Sequence, residues 1–71
     1  MTLDELKQSW NYNLERYKKA ERLDKTNPAL FEKYMDEFNK VIETLSGLMF
    51  LYTEMTGAEM PEHILHEGFD I

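Results

Sequence analysis

The feature that most constrains this chain is a regular row of apolar residues in its second half. From position 31 to position 52, large apolar side chains recur at alternating steps of four and three. This period of about 3.5 residues is typical of helices that pack side by side along a shared seam. The row predicts one helix over residues 28–56, which begins at Pro28 and is capped by Gly57. Its members are Phe31, Met35, Phe38, Ile42, Leu45, Met49 and Tyr52.

A second apolar row lies beside the first and widens the predicted face. Tyr34, Val41, Leu48 and Met55 are spaced by seven residues, so they share one side of a helix. Around residues 48–52 the two rows merge into an unbroken run of five large apolar residues. One neighbouring helix does not cover a face this wide, so we expect a further segment or a second molecule to lie against it.

An earlier segment predicts a first helix over residues 3–23. Thr2 and Glu5 have the spacing of a capping box, in which each residue satisfies a free backbone group of the other. Pro28 disfavours helix at Asn27 and separates the two helices by a short connection, which makes them antiparallel neighbours. The apolar face of the first helix consists of Leu3, Leu6, Trp10, Leu14, Tyr17 and Ala20.

The predicted lengths of the two helices differ. At about 1.5 Å per residue the first is about 31 Å long and the second about 43 Å, so the second overhangs by about 12 Å. The chain's own tail can cover the overhang, through a short helix at 61–67 that begins at Pro61 and ends at Gly68. A second copy can also cover it, and the two arrangements are compatible.

We therefore expect an all-α fold in a single domain, 1–71. It is an antiparallel two-helix hairpin with a short C-terminal helix, and it dimerises into a four-helix bundle. A core this small is marginal, and the chain has no cysteine to reinforce it by disulfides. The predicted homodimer interface consists of Tyr34, Val41, Leu48, Met49, Phe50, Tyr52 and Met55.

The charge of the chain is unevenly distributed. Its net charge is −6, and no Lys or Arg follows Lys40. Broad binding to nucleic acid depends on neutralising phosphates with Lys and Arg, so the acidic half argues against direct contact with nucleic acid. It favours a basic protein as partner. The predicted partner-binding acidic surface consists of Glu54, Glu59, Glu62, Glu67 and Asp70.

The residues that carry catalysis or bind metal are sparse. His63 and His66 are three residues apart, but no third clear ligand accompanies them, and no glycine-rich phosphate loop is present. We predict no enzyme activity, no cofactor and no metal. The N-terminus lacks the pattern of a signal peptide, and an apolar run of five residues is too short to span a membrane. We expect a cytoplasmic protein without membrane contact.

In its short length, acidic charge and two predicted helices, the chain is similar to accessory proteins of bacteriophages and mobile elements. That resemblance implies a protein that regulates or inhibits another protein. The first hypothesis is a small acidic, non-enzymatic interaction module that regulates or inhibits a basic, nucleic-acid-handling partner, with DNA mimicry as its sharper form. The alternative is a purely structural homodimer or assembly subunit. A third hypothesis is a small nucleic-acid binder that uses the basic segment from Lys18 to Lys25.

Overall fold

The computed structural model describes all residues, 1–71, and shows an all-helical chain without strands. The predicted all-α class is confirmed. The antiparallel hairpin and its pairing into a bundle remain predictions. The four helices are α1 (Leu3–Thr26), α2 (Pro28–Lys33), α3 (Met35–Thr56) and α4 (Glu62–Glu67).

Helix α1 begins at the capping box and continues three residues beyond the expected end at position 23. The Thr2 hydroxyl accepts a hydrogen bond from the Glu5 backbone N–H at 3.1 Å, and the Glu5 carboxylate accepts one from the Thr2 N–H at 2.9 Å. At the other end the Asn27 N–H still donates to the Leu23 carbonyl at 2.7 Å. The cations near residue 23 suit a helix C-terminus but do not end the helix, whereas Pro28 does.

The expected single helix over 28–56 is corrected to two helices, which are separated at Tyr34. Its φ of −104° and ψ of 15° lie outside the helical region, and its N–H donates to the Phe31 carbonyl at 3.0 Å in a tighter turn. Beside this break Phe38 stacks on Tyr17 at 5.4 Å between ring centroids and meets Phe31 edge-on at 5.2 Å. The apolar period runs straight through the break, so it gives no sign of it.

The core lies between α1, α3 and the segment that follows α3. Trp10 and Leu6 of α1 are almost completely buried, and Met60 is buried over them from the connection between α3 and α4. One polar residue, Asn13, is buried beside these side chains. Its side-chain amide donates to the Ser9 carbonyl at 2.9 Å. The buried apolar residues are Leu6, Trp10, Leu14, Val41, Leu45, Leu48 and Met60.

Helix α3 is rotated relative to the expected seam. The residues that it buries are Val41, Leu45 and Leu48, which combine members of both predicted rows. Three members of the first row, Met35, Ile42 and Met49, are exposed instead, at 38% to 39% of their surface. Consecutive residues of a helix point about 100° apart, so α1 cannot bury Val41 and Ile42 equally.

The expected overhang is also corrected. Helix α1 has 24 residues and α3 has 22, so α3 is not the longer helix. The tail packs on one side of the end of α3, where the Tyr52 and Phe69 rings are 5.7 Å apart. The other side stays open, and Phe50 keeps 68% of its surface exposed. None of the helices combines the length and the apolar character needed to cross a membrane.

Candidate protein-interaction surface

Two neighbouring side chains of α1 fix the C-terminal tail in place. The Trp10 indole N–H donates to the Ile64 carbonyl at 3.2 Å. The Asn11 side chain pairs with both backbone groups of Phe69: its amide donates to the Phe69 carbonyl at 2.9 Å, and its oxygen accepts from the Phe69 N–H at 2.7 Å. These contacts join residues more than fifty positions apart in sequence, and they hold α4 and the acidic tail against α1.

Gly68 makes the close approach of the tail to α1 possible. Its φ of +88° is in the region that side chains disfavour. A Cβ at this position would lie 2.6 Å from the Asn11 side-chain oxygen, so a larger residue clashes with the atom that binds Phe69. The sequence predicted Gly68 as the end of the short helix, and the structure adds a packing requirement at the same residue.

The predicted acidic surface is solvent-exposed throughout. Glu54 is in the last turns of α3, Glu59 follows the cap at Gly57, and Glu62 and Glu67 are the first and last residues of α4. Asp70 is exposed beyond them. The carboxylate of Glu62 has one weak partner, His66, at 4.0 Å, and both side chains are largely exposed.

One cation from outside the tail reaches this half of the molecule. The Lys7 ammonium lies 5.7 Å from the centroid of the Phe69 ring, in the range of a cation–π contact. Sequence reasoning assigned no role to Lys7 or Asn11, because their tail partners lie some sixty residues away and no local pattern connects them. The only signal was their position on α1 beside Trp10.

Helix α3 presents an apolar face to solvent, here called the outward face. It consists of exposed residues on a side of α3 that α1 does not cover, and its C-terminal end borders the segment around Met60 and Leu65. The five charged residues of α3 lie on its other sides or, for Glu43, at the edge beside Phe50. Exposed apolar patches bordered by polar residues mark interaction sites. The outward face consists of Met35, Ile42, Ser46, Met49, Phe50 and Thr53.

The predicted homodimer interface is divided by the fold. Val41 and Leu48 are buried in the chain's own core, and Tyr52 is half-buried beside Phe69, so these three are corrected to core or core-edge positions. Met49 and Phe50 are exposed on the outward face. Tyr34 and Met55 are exposed as well, at the break before α3 and in the last turn of α3.

A shallow groove of about 310 Å³ connects the outward face with the acidic surface. Met49, Phe50 and Thr53 of α3 form one wall. Met60 and Leu65 form the other, and Glu59 adds a carboxylate at the rim. An apolar floor beside a carboxylate suits a partner that combines an apolar side chain with a nearby cation.

A second groove, of about 190 Å³, lies between α1 and the break at Tyr34. Its apolar lining includes Leu23, Phe31 and Phe38, and Arg16 and Lys19 stand at its rim. The basic segment of the third hypothesis adjoins it. Within that segment Lys19, Arg22 and Lys25 are exposed, whereas Lys18 is half-buried.

His63 and His66 are both exposed, and no cluster of three or more His, Asp or Glu side chains has the geometry of a metal site. In α1, hydrogen bonds with the Thr2 backbone and hydroxyl lower the pKa of Glu5. Comparison of the chain with protein-family models, with curated proteins and with solved structures gave no match.

Proposed function

We propose that this protein is a non-enzymatic interaction module that binds a basic protein partner through its acidic surface. The observation that carries the proposal is the groove beside that surface, where Met49, Phe50 and Met60 adjoin the carboxylate of Glu59. Apolar contact supplies affinity at such a surface, while carboxylates attract a partner of opposite charge and speed encounter.

The sharper form of the proposal is inhibition of a protein that handles nucleic acid. Five exposed carboxylates in the last 18 residues give this half of the molecule the charge that a phosphate backbone presents. A basic groove that binds phosphates would accept them, and the bound protein would exclude the nucleic acid. The packed helices supply the frame for this surface, and α1 holds the tail through hydrogen bonds from Trp10 and Asn11.

The test is affinity capture from an extract by the immobilised protein, with elution by duplex DNA. The wild type is compared with the variant Glu59→Gln/Glu62→Gln/Glu67→Gln. The matched control is Glu15→Gln/Glu21→Gln/Glu32→Gln, which removes the same charge from exposed positions outside the tail. Exposed carboxylates contribute little to stability, so both variants should melt near the wild-type temperature.

We expect the wild type and the control variant to retain the same basic protein, and duplex DNA to release it. The tail variant should lose that protein, and the wild-type interaction should weaken as salt rises. If the tail variant melts normally and still captures what the wild type captures, the acidic surface serves solubility only and the proposal fails.

A purely structural homodimer is the second candidate function, favoured by the exposed outward face of α3. In that role the protein pairs with itself into a four-helix bundle and needs no other partner. The capture experiment separates the two roles, since a structural subunit retains no basic protein that DNA displaces.

A further inference from the structure

We propose that the second groove, between α1 and the break at Tyr34, binds a small molecule that joins an apolar body to a carboxylate. The groove lies along the second half of α1, whereas Trp10 and Asn11 hold the tail and its acidic surface against the first half. The inference therefore goes beyond the proposed function, and it stands whether or not the acidic surface has a partner.

The first argument is the apolar interior of the groove. Val41 is buried in its lining, and Leu23 and Phe31 are half-buried there. The Phe38 ring stacks on Tyr17 at 5.4 Å between centroids and meets Phe31 edge-on at 5.2 Å, so the aromatic wall is packed in place without a ligand. Ligand sites in proteins are largely preformed and mostly apolar, with a few polar groups that orient the ligand.

The volume of the groove limits the size of the ligand. At about 30 Å³ for each water-sized group, the volume of about 190 Å³ holds roughly six such groups. A methylene group is close to a water molecule in size, so an apolar body of about six carbon atoms fills the groove. Sites for drug-sized molecules are larger, at about 300–1,000 Å³, so this groove suits a smaller ligand.

The second argument is a pair of cations at the rim that lack a partner within the chain. Arg16 and Lys19 are both exposed, and the one ion pair of the chain joins Glu62 to His66 instead. The Arg16 guanidinium lies 5.8 Å from the centroid of the Tyr12 ring, a cation–π contact that leaves its N–H donors free. An arginine fork binds a carboxylate through two parallel hydrogen bonds, so a carboxylate head suits this rim.

The acidic residues around the groove favour a single small anion over a nucleic-acid strand. Glu37 shares the lining with the two cations, and Glu15 and Asp36 adjoin lining residues in the chain. A strand needs a row of cations to neutralise successive phosphates, and here it would meet these carboxylates beyond the first contact. One carboxylate held between Arg16 and Lys19 makes no such demand.

Titration of the wild type with straight-chain carboxylates, followed by the NMR shifts of the Val41 methyl groups, tests the proposal. Affinity should rise about fourfold for each methylene from butanoate to heptanoate, because each buried methylene adds a similar transfer free energy. The rise should level off beyond heptanoate, since its six carbons after the carboxylate fill the groove. Heptanol and heptylamine should bind about tenfold more weakly than heptanoate, or less, because neither pairs with the cations.

Variants of the rim determine which charge the groove prefers. Arg16→Gln/Lys19→Gln should weaken heptanoate binding about tenfold. The matched control is Arg22→Gln/Lys25→Gln, which removes the same charge from exposed positions of α1 outside the groove and should bind heptanoate like the wild type. Glu37→Gln should tighten binding, because it removes a like charge from the lining.

Ala20→Leu tests where the ligand lies. Ala20 is half-buried in the lining, and leucine is nearly as favourable as alanine in a helix, so the larger side chain occupies the groove while α1 is kept. Heptanoate should then leave the Val41 shifts unchanged. Unaltered affinity in this variant means that the carboxylate binds elsewhere, and it overturns the proposal.

Other results also overturn the proposal. They include the lack of a saturable Val41 shift at tens of millimolar heptanoate, equal affinity for heptanol, and weaker binding in Glu37→Gln. Displacement of heptanoate by an equal concentration of oligothymidylate means that a nucleic-acid strand occupies the groove. Val41 shifts that depend on protein concentration without ligand, and that Ala20→Leu removes, mean that a second copy fills it.

Discussion

On one side of α3, Val41, Leu45 and Leu48 are buried against α1, while on another side Met35, Ile42 and Met49 face solvent. The two sides are alike in size and hydrophobicity, and both repeat with the period of a helix. They differ in what packs against them: α1 and the tail cover the first side, whereas the second side stays exposed. The comparison shows that an apolar row in the sequence identifies a surface that can be buried. It does not identify the segment that covers that surface.

The same contrast occurs on α1 between Trp10, which is almost fully buried, and Tyr12, which is 65% exposed. Trp10→Ala should lower the free energy of unfolding by about 3–5 kcal/mol, because it removes a large core side chain and the hydrogen bond to the tail. Tyr12→Ala should stay within about 0.5 kcal/mol of the wild type. Urea unfolding measures both; equal losses would mean that the two aromatic residues have similar surroundings.

On α3 the comparison is sharpest between neighbours. Leu48→Ala should cost about 2–5 kcal/mol at any protein concentration, because the cavity forms inside the chain. Met49→Ala should change the free energy of unfolding by less than about 0.5 kcal/mol at a dilution where the chain is monomeric. If the dimer forms, the cost of Met49→Ala rises with concentration, since unfolding then also separates the copies. A concentration-independent large loss at Met49 would place it in the core.

The two glycines of positive φ differ in the same way. Gly68→Ala should cost about 1–3 kcal/mol, because it combines backbone strain with a clash against Asn11. Gly57→Ala meets no atom within 4 Å, so its cost of about 1–2 kcal/mol is backbone strain alone. Trp10 fluorescence separates them: Gly68→Ala should expose the indole as the tail lifts, and Gly57→Ala should leave the spectrum unchanged.

Apart from the exposed control positions, the smallest effect is expected at the start of α1. Thr2→Ala should cost about 1 kcal/mol at neutral pH through loss of the cap. Because the capping hydrogen bonds lower the pKa of Glu5, its carboxylate stabilises the folded chain above its unfolded pKa, and this part is lost as pH falls through the lower folded pKa. The difference between wild type and Thr2→Ala in urea unfolding should therefore narrow in acid. Glu5→Gln should remove that pH dependence.

The sequence alone determined the fold class and several helix ends, because these depend on interactions between residues that are close together in the chain. The all-α class follows from helical periods, and the start of α1 follows from Thr2 and Glu5, which interact within one turn. The cap at Gly57 follows equally from local conformation, since Gly adopts its φ of +72° without strain. The negative charge of the candidate acidic surface follows from the order of charged residues along the chain, because no Lys or Arg follows Lys40.

The tertiary structure decided how those elements are used. Whether Val41 or Ile42 faces inward depends on the rotation of α3 against α1, and both rotations satisfy the period. The break at Tyr34 leaves that period intact. The tail is held by Asn11 and Trp10 through backbone atoms of Phe69 and Ile64, and a contact over more than fifty residues has no local sequence signature. The outward face stays exposed because these long-range contacts place α1 on another side of α3 and the tail only along its edge.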